Sequence, residues 1–231
     1  LIYAVYPGFE PSFADGNNGI HLIFLFDPTV GKERYLNAFS AVMGGRPAYV
    51  GKNLNQTLKT PKETFAALDD RLSIGKGNYL VIAAHPLQSS GLLARHGHYI
   101  TDLAGGHIHA AELRRDKTLG EDLASNPKLH RACEKGRIAL YHTSDAKTLA
   151  DPGTPPTERA LGYRFALLKL ASPTLEALRQ AFLGRDSRLR IPYIRDAADQ
   201  FVLDPSLPVP VPQGPDARPW IRAIRVQGGT S

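Results

Sequence analysis

Short apolar segments alternate with amphipathic segments along most of the chain. Apolar runs of strand length cover residues 1–6, 20–26, 79–84, 108–113, 137–142 and 163–170. Apolar residues with helical spacing cover residues 32–43, 61–74, 119–135 and 173–183. Strands that alternate with helices are typical of βα units around a mainly parallel sheet or barrel, so the pattern predicts an α/β fold.

Two of the predicted helices begin with proline, Pro61 after Thr60 and Pro173 after Ser172. Proline is tolerated in the first helical turn, and a hydroxyl before it can accept a hydrogen bond from the backbone of that turn. We therefore predict N-caps at Thr60 and Ser172.

The alternating pattern ends near residue 203, which divides the chain into three predicted parts. A domain covers 1–203, and the proline-rich stretch 204–219 predicts an extended tether. Residues 220–231 begin with alternating apolar and basic positions, typical of a half-buried strand that opens a following domain. The first residues are apolar and include no initiator Met or leader peptide, so we expect the chain to be an internal piece of a longer protein.

The composition is that of a globular protein. With 231 residues, of which 42% are hydrophobic and 22% charged, disordered and fibrous classes are excluded. No apolar run is long enough to span a membrane. The single cysteine, Cys133, cannot form an internal disulfide, which predicts a cytoplasmic protein. The net charge of +6 favours polyanionic partners such as nucleic acid or nucleotides, although the basic residues are dispersed.

Four potential metal ligands lie in or directly after apolar runs: Glu10 in Pro-Gly-Phe-Glu, His21 in Ile-His-Leu-Ile, His85 in Ala-Ala-His-Pro and Asp145 in Thr-Ser-Asp-Ala. The carboxyl ends of parallel strands meet at one edge of an α/β sheet, so we expect these side chains to converge. Carboxylates with imidazoles suit Zn, Mn or Fe, and a carboxylate can bridge two ions. Paired ions hold both oxygens of an in-line phosphoryl displacement.

Each ligand also has a structural interpretation. Glu10 could be a loop acid, His21 a core histidine and Asp145 a helix N-cap. His85 is the most specific of the four, because a polar residue that ends a buried strand and precedes a proline is often functional.

The order of the four motifs resembles that of the PHP (polymerase and histidinol phosphatase) family, which comprises metal-dependent phosphoesterases with a distorted (β/α)7 barrel. The resemblance covers residues 1–191. It implies that Glu10 bridges two divalent ions, that His21 and His85 bind one and Asp145 the other, and that a metal-bound hydroxide attacks the substrate phosphate. Glu10, His85 and Asp145 are then the expected catalytic residues. The family's first motif, His-x-His on the first barrel strand, would precede Leu1, so the barrel is expected to lack that strand here.

A second stretch, from His142 through residues 162–169 and 175–182 to 187–191, resembles the N-terminal PHP-like domain of large AAA-like or SMC-like ATPases of the TrlF type. This resemblance implies an ATPase domain in the same protein or in a partner chain, and a role in antiviral defence. The chain itself contains no Walker A loop, so we do not expect it to hydrolyse ATP by a P-loop mechanism.

Three further residues are assigned to the predicted site. Lys147 stands where the family has histidine, and an ammonium has no lone pair for a metal. The site could therefore hold two ions at most or be degenerate, and Lys147 could instead contact substrate phosphate. Lys169 ends an apolar strand and could bind substrate at the barrel mouth or extend into solvent. His142 could orient Asp145 by a hydrogen bond.

The remaining histidines carry weaker signals. His107 and His109 are predicted to lie on one face of a strand, with the spacing of metal ligands, or else to be surface or supporting residues. His96 and His98 are predicted to lie in a loop, and His130 is predicted to be structural or exposed.

Three functions are consistent with these observations. The first is a metal-dependent phosphoesterase or nuclease that acts on nucleic acid or nucleotides within a larger ATPase. The second is a degenerate PHP domain that serves as a binding or assembly module, and the third is a small-molecule phosphatase. A homo-oligomer is possible under all three, and no membrane partner is expected.

Overall fold

The computed structural model describes residues 6–13, 19–43, 56–57, 60–70, 74–95, 106–113, 117–136, 138–143, 148, 160 and 163–207. Its strands are β1 Gly8–Phe9, β2 Ser12–Phe13, β3 Ile20–Phe26, β4 Gln56–Thr57, β5 Tyr79–Ala83, β6 Ala110–Glu112, β7 Ala139–Tyr141, β8 Leu167–Leu168, β9 Leu189–Arg190, β10 Tyr193–Arg195 and β11 Phe201–Leu203. Its helices are a 3-10 turn at Pro28–Val30, α1 Lys32–Val42, α2 Pro61–Asp69, α3 Leu92–Arg95, α4 Leu119–Ser125, α5 Pro127–Gly136, α6 Leu175–Leu183 and α7 Arg185–Arg188.

The central sheet confirms the α/β class but is mixed, not mainly parallel. Its strand order is β4-β2-β3-β5-β6-β7, and β1 also pairs with β3. Strands β5, β6 and β7 run parallel, whereas β3 runs antiparallel to β5 and to β1 and β2. Within the described part of the chain these strands form no closed barrel. Two small antiparallel pairs, β8–β9 and β10–β11, lie outside the central sheet.

Strand β3 separates two hydrophobic layers. Its alternate residues Ile20, Leu22, Phe24 and Phe26 are fully buried and belong to the larger core, with residues of α1, α2, α3 and α5. The opposite face packs in a smaller core against α6, which contributes Leu175, Leu178 and Phe182. Because strand side chains alternate between faces, His21 lies on the side of the smaller core.

The helix boundaries follow local chemistry. Thr60 caps α2 as predicted, in a capping box with Glu63. The predicted cap at Ser172 is wrong: Thr174 accepts a hydrogen bond from the Ala177 N–H, and the helix begins two residues later than expected. The predicted helix 119–135 is two helices, α4 and α5, which divide at Asn126 before Pro127. Proline has no N–H to continue the hydrogen bonding of the first helix.

The predicted strand 20–26 coincides with β3, which confirms it. The predicted strands 79–84, 108–113 and 137–142 shorten to β5, β6 and β7, and 163–170 contains only β8. The predicted strand at 1–6 lies, except for Tyr6, outside the described residues. Residues 208–219 of the predicted tether and the whole predicted segment 220–231 also lie outside them. Among the described helices, none has the length and apolarity needed to cross a membrane.

Candidate metal site

One edge of the central sheet brings His21 and His85 together. His85 follows the carboxyl end of β5 by two residues. Because β3 is antiparallel to β5, its first residues lie at this same edge, and Leu22 is paired with Ala83. His21 therefore belongs to the beginning of a strand, which corrects the expectation that every ligand ends a parallel strand.

Glu10 lies at an interruption in the strand that borders β3. Strands β1 and β2 pair with β3 in one common register, Phe9 opposite Phe24 and Ser12 opposite His21. The pairing is broken at Glu10 and Pro11, and Pro11 has no N–H to donate across the strands. The break leaves the Glu10 side chain beside the start of β3.

The ligand atoms of Glu10, His21 and His85 converge. Oε1 of Glu10 lies 3.0 Å from Nδ1 of His21, which lies 3.2 Å from Nε2 of His85. All three atoms are within 4.8 Å of one another, and in the described part of the chain no other set of three acidic, histidine or cysteine side chains meets in this way. The side chains of Glu10 and His21 are 41% and 32% exposed, so the cluster is open to solvent.

The donor set fits a divalent cation. Nδ1 of His21 carries at most one hydrogen, yet it lies within hydrogen-bond distance of both a carboxylate oxygen and the second imidazole. A cation between the three groups would accept one lone pair from each of them. One carboxylate and two imidazoles are suitable ligands for Zn, Mn or Fe. The described residues supply ligands for one ion, and the second oxygen of Glu10 leaves a donor for another.

The turn that follows His85 also holds His21. The N–H of Gln88 donates to the His85 carbonyl at 2.9 Å, and the N–H of His21 donates to the Ser90 carbonyl at 3.0 Å. A Cβ atom on Gly91 would lie 2.3 Å from the carbonyl oxygen of His85, so only glycine fits there. The turn thus connects the backbones of two ligands that are remote in sequence.

Glu112 is a residue of this region that the sequence analysis missed. Its Oε2 accepts a hydrogen bond from the His85 N–H at 3.0 Å, and its Oε1 accepts one from the Thr143 hydroxyl at 2.8 Å. The signal was present, because Glu112 ends an apolar run just as His85 does.

His142 is buried beside the rings of Tyr193 and Phe201, which it meets edge-on, and is only 1% exposed. Burial, assisted by the charge of Arg164, lowers its pKa to about 4, and the backbone of Lys117 acts in the opposite direction. Neither ring nitrogen has a hydrogen-bond partner of ordinary geometry in the described part of the chain. Asp145 and Lys147 lie outside the described residues, so the orienting role of His142 stays a prediction.

His107 and His109 precede β6 and contact different elements. The ring of His107 stacks on Phe65 at 4.9 Å, whereas Nδ1 of His109 accepts a hydrogen bond from the Val81 N–H at 3.3 Å. Burial lowers the pKa of His109 to about 4. These contacts agree with the supporting role that was the alternative to metal binding.

The other described residues that the sequence singled out belong to different elements from Glu10, His21 and His85. Lys169 directly follows β8, its side chain is exposed, and its N–H donates to the Arg188 carbonyl at 2.8 Å. His130 forms an exposed ion pair with Glu134 on α5. Cys133 is buried, and burial raises its pKa to about 11. His96 and His98 lie outside the described residues.

Comparison with protein-family models, curated proteins and solved structures finds no match for this chain. The likeness to the PHP family is therefore carried by the sequence motifs alone.

Proposed function

We propose that this domain is a metal-dependent phosphoesterase or nuclease that hydrolyses phosphoester bonds in nucleic acid or nucleotides. We further propose that it has a PHP-like (β/α)7 organisation and serves a larger ATPase. The observation that carries the proposal is the convergence of Glu10, His21 and His85 from three separate segments of the chain. Such convergence of hard oxygen and imidazole donors in a partly exposed position is characteristic of catalytic metal sites.

The roles of the three residues follow from their positions. Glu10, His21 and His85 would hold one ion, and Glu10 with Asp145 would hold a second. A bound divalent ion lowers the pKa of coordinated water and neutralises charge on a phosphate. The protein contributes by fixing the donors: β3 orients His21, and the turn after β5 orients His85. Lys147 and Lys169 would contact the phosphate of the substrate as point charges.

The charge of the chain supports a polyanionic substrate. The net charge is +6, and basic side chains that neutralise phosphates supply most of the affinity in sequence-independent nucleic-acid binding. Three exposed basic residues lie at the β8–β9 pair: Lys169 directly follows β8, Arg188 directly precedes β9, and Arg190 ends β9. We therefore favour a polymer or a nucleotide over a small phosphomonoester that is not a nucleotide.

Activity assays with manganese test this proposal. Single-stranded DNA, RNA, nucleoside monophosphates and a generic phosphodiester are offered to the purified protein. Metal-dependent hydrolysis that is lost in His85→Ala and retained in His130→Ala is the expected result, since His130 lies on α5 outside the cluster. Absence of metal-stimulated turnover on every substrate would reject a catalytic role. Hydrolysis of the monophosphates alone would identify a small-molecule phosphatase.

A second function, a binding or assembly module without catalysis, is favoured by one observation. Lys147 occupies the position at which the PHP family has a metal-binding histidine. Elemental analysis of the purified chain separates the two functions. A working site should retain about two ions, as binuclear phosphoesterases do, whereas a degenerate one should hold a substoichiometric amount.

A further inference from the structure

Glu112 ends β6 and contacts the segment that carries His85. One of its carboxylate oxygens, Oε2, accepts a hydrogen bond from the backbone N–H of His85 at 3.0 Å. The same oxygen lies 3.8 Å from Nδ1 of the His85 ring. The other ring nitrogen, Nε2, faces His21. Glu112 therefore lies beside the backbone of His85 and on the side of the ring opposite to the proposed ligand atom.

The carboxylate of Glu112 is itself held in place. Its Oε1 accepts a hydrogen bond from the hydroxyl of Thr143, which follows β7 by two residues. The side chain of Glu112 is only 12% exposed. A largely buried carboxylate requires hydrogen bonds to both oxygens, and these two donors from different strand ends fix its orientation.

The backbone of His85 depends on this support. Its φ angle is +29°, a region that residues other than glycine rarely adopt. Residues in such conformations persist where the surrounding structure supports them, and they concentrate at functional sites. The hydrogen bond from the His85 N–H to Glu112 is one of the contacts that hold this conformation.

We propose that Glu112 is a positioning residue that fixes the orientation and the tautomer of His85. A negative charge 3.8 Å from Nδ1 favours the tautomer with its hydrogen on Nδ1. The lone pair is then on Nε2, which faces Glu10 and His21. Carboxylates that support metal-binding histidines in this way strengthen metal binding through the ring. The metal-binding part of this inference rests on the proposed function, whereas the tautomer does not.

Nuclear magnetic resonance of the ¹⁵N-labelled chain without metal, at a pH above the histidine range, tests the tautomer. The His85 signals are assigned by their absence in His85→Ala. In the unsubstituted chain Nδ1 is expected to carry the hydrogen. Glu112→Ala and Glu112→Gln should both shift the population towards hydrogen on Nε2. Glu134→Gln is the matched control, because Glu134 also lies beside a histidine, His130, but on the exposed face of α5.

Calorimetric titration of the same proteins with Zn²⁺ or Mn²⁺ gives the second readout. We expect binding to weaken by about 10- to 100-fold in the Glu112 variants, the range seen when a supporting partner of a metal ligand is removed. Glu112→Gln retains an acceptor for the His85 N–H, so it decides the question if Glu112→Ala does not fold. An unchanged tautomer in folded Glu112→Gln would overturn the inference. If the unsubstituted chain binds no ion, the proposed function fails, while the tautomer comparison still decides the role of Glu112.

Discussion

Nε2 of His85 lies 3.2 Å from Nδ1 of His21, although 64 residues separate them in the chain. The two rings meet at an angle of 70° at one edge of the sheet. The pairing of β3 with β5, in which Leu22 lies opposite Ala83, places the two rings at this edge. Since a slip by one residue moves every side chain of a strand to the other face, the same register that buries Leu22 directs His21 to the site.

Substitution of a proposed ligand should weaken metal binding. We expect His21→Ala to lower the affinity for Mn²⁺ or Zn²⁺ by more than about 100-fold, beyond the loss caused by removing a supporting partner. Titration calorimetry of the purified chain measures this change. His130→Ala, which removes an exposed histidine of α5, should bind as the unsubstituted chain does. Equal affinities of His21→Ala and the control would exclude His21 as a ligand.

The turn after β5 should tolerate no side chain at Gly91. An added Cβ would lie 2.3 Å from the His85 carbonyl oxygen, so the turn must move, and the ligands with it. Gly91→Ala is expected to lower both the free energy of unfolding and the metal affinity. Gly120→Ala is the control, because its Cβ would meet no atom within 4 Å and alanine is favoured in a helix such as α4. A Gly91→Ala protein with unchanged metal affinity contradicts this account of the turn.

His109 should make the protein less stable in mild acid. Its pKa in the folded state is lowered from 6.5 to about 4, chiefly by burial. The unfolded chain therefore binds a proton that the folded chain excludes, so this stabilisation is complete above about pH 6.5 and disappears as the pH falls to 4. The difference corresponds to about 3 kcal/mol. His109→Asn, which keeps an acceptor for the Val81 N–H but does not titrate, should show a flatter dependence of the urea midpoint on pH over this interval.

Glu121 should make the stability of the fold depend on pH in a lower range than His109 does. Hydrogen bonds from Thr118, with the neighbouring charge of Arg195, lower the pKa of Glu121 from 4.5 to about 2. The stabilisation that its charge provides is therefore complete above about pH 4.5 and is lost as the pH falls to 2. We expect Glu121→Gln to unfold at lower urea concentration than the unsubstituted chain at neutral pH. The two midpoints should coincide near pH 2, and a difference that is independent of pH would rule out the charge as its source.

Phe24 should contribute strongly to the free energy of unfolding. It is fully buried on β3, and its ring contacts those of Phe9, Phe65 and Tyr79. Phe24→Ala is expected to lower the free energy of unfolding by about 3–5 kcal/mol, the usual loss for a buried aromatic ring. Leu36→Ala, at a position that is 44% exposed, should change it by less than a third of that amount. Chemical denaturation of the two variants measures both values.

Local patterns predicted much of the fold. An apolar run of strand length identified β3, and the Thr60-Pro61 sequence identified the start of α2 correctly. The pattern did not separate α4 from α5, because apolar spacing continues across the break at Pro127. The cap of α6 was misplaced because Ser172 and Thr174 are both suitable N-cap residues, and propensity alone does not choose between them.

The sequence by itself determined which side chains could bind a metal, since Glu10, His21 and His85 each interrupt or follow an apolar segment. Only the tertiary structure decided that β3 runs antiparallel to β5, which brings His21 to the same edge as His85. An apolar run has the same composition in either direction, so strand direction depends on long-range pairing. The contacts of Glu112 were decided in the same way, because its partners come from the ends of two other strands.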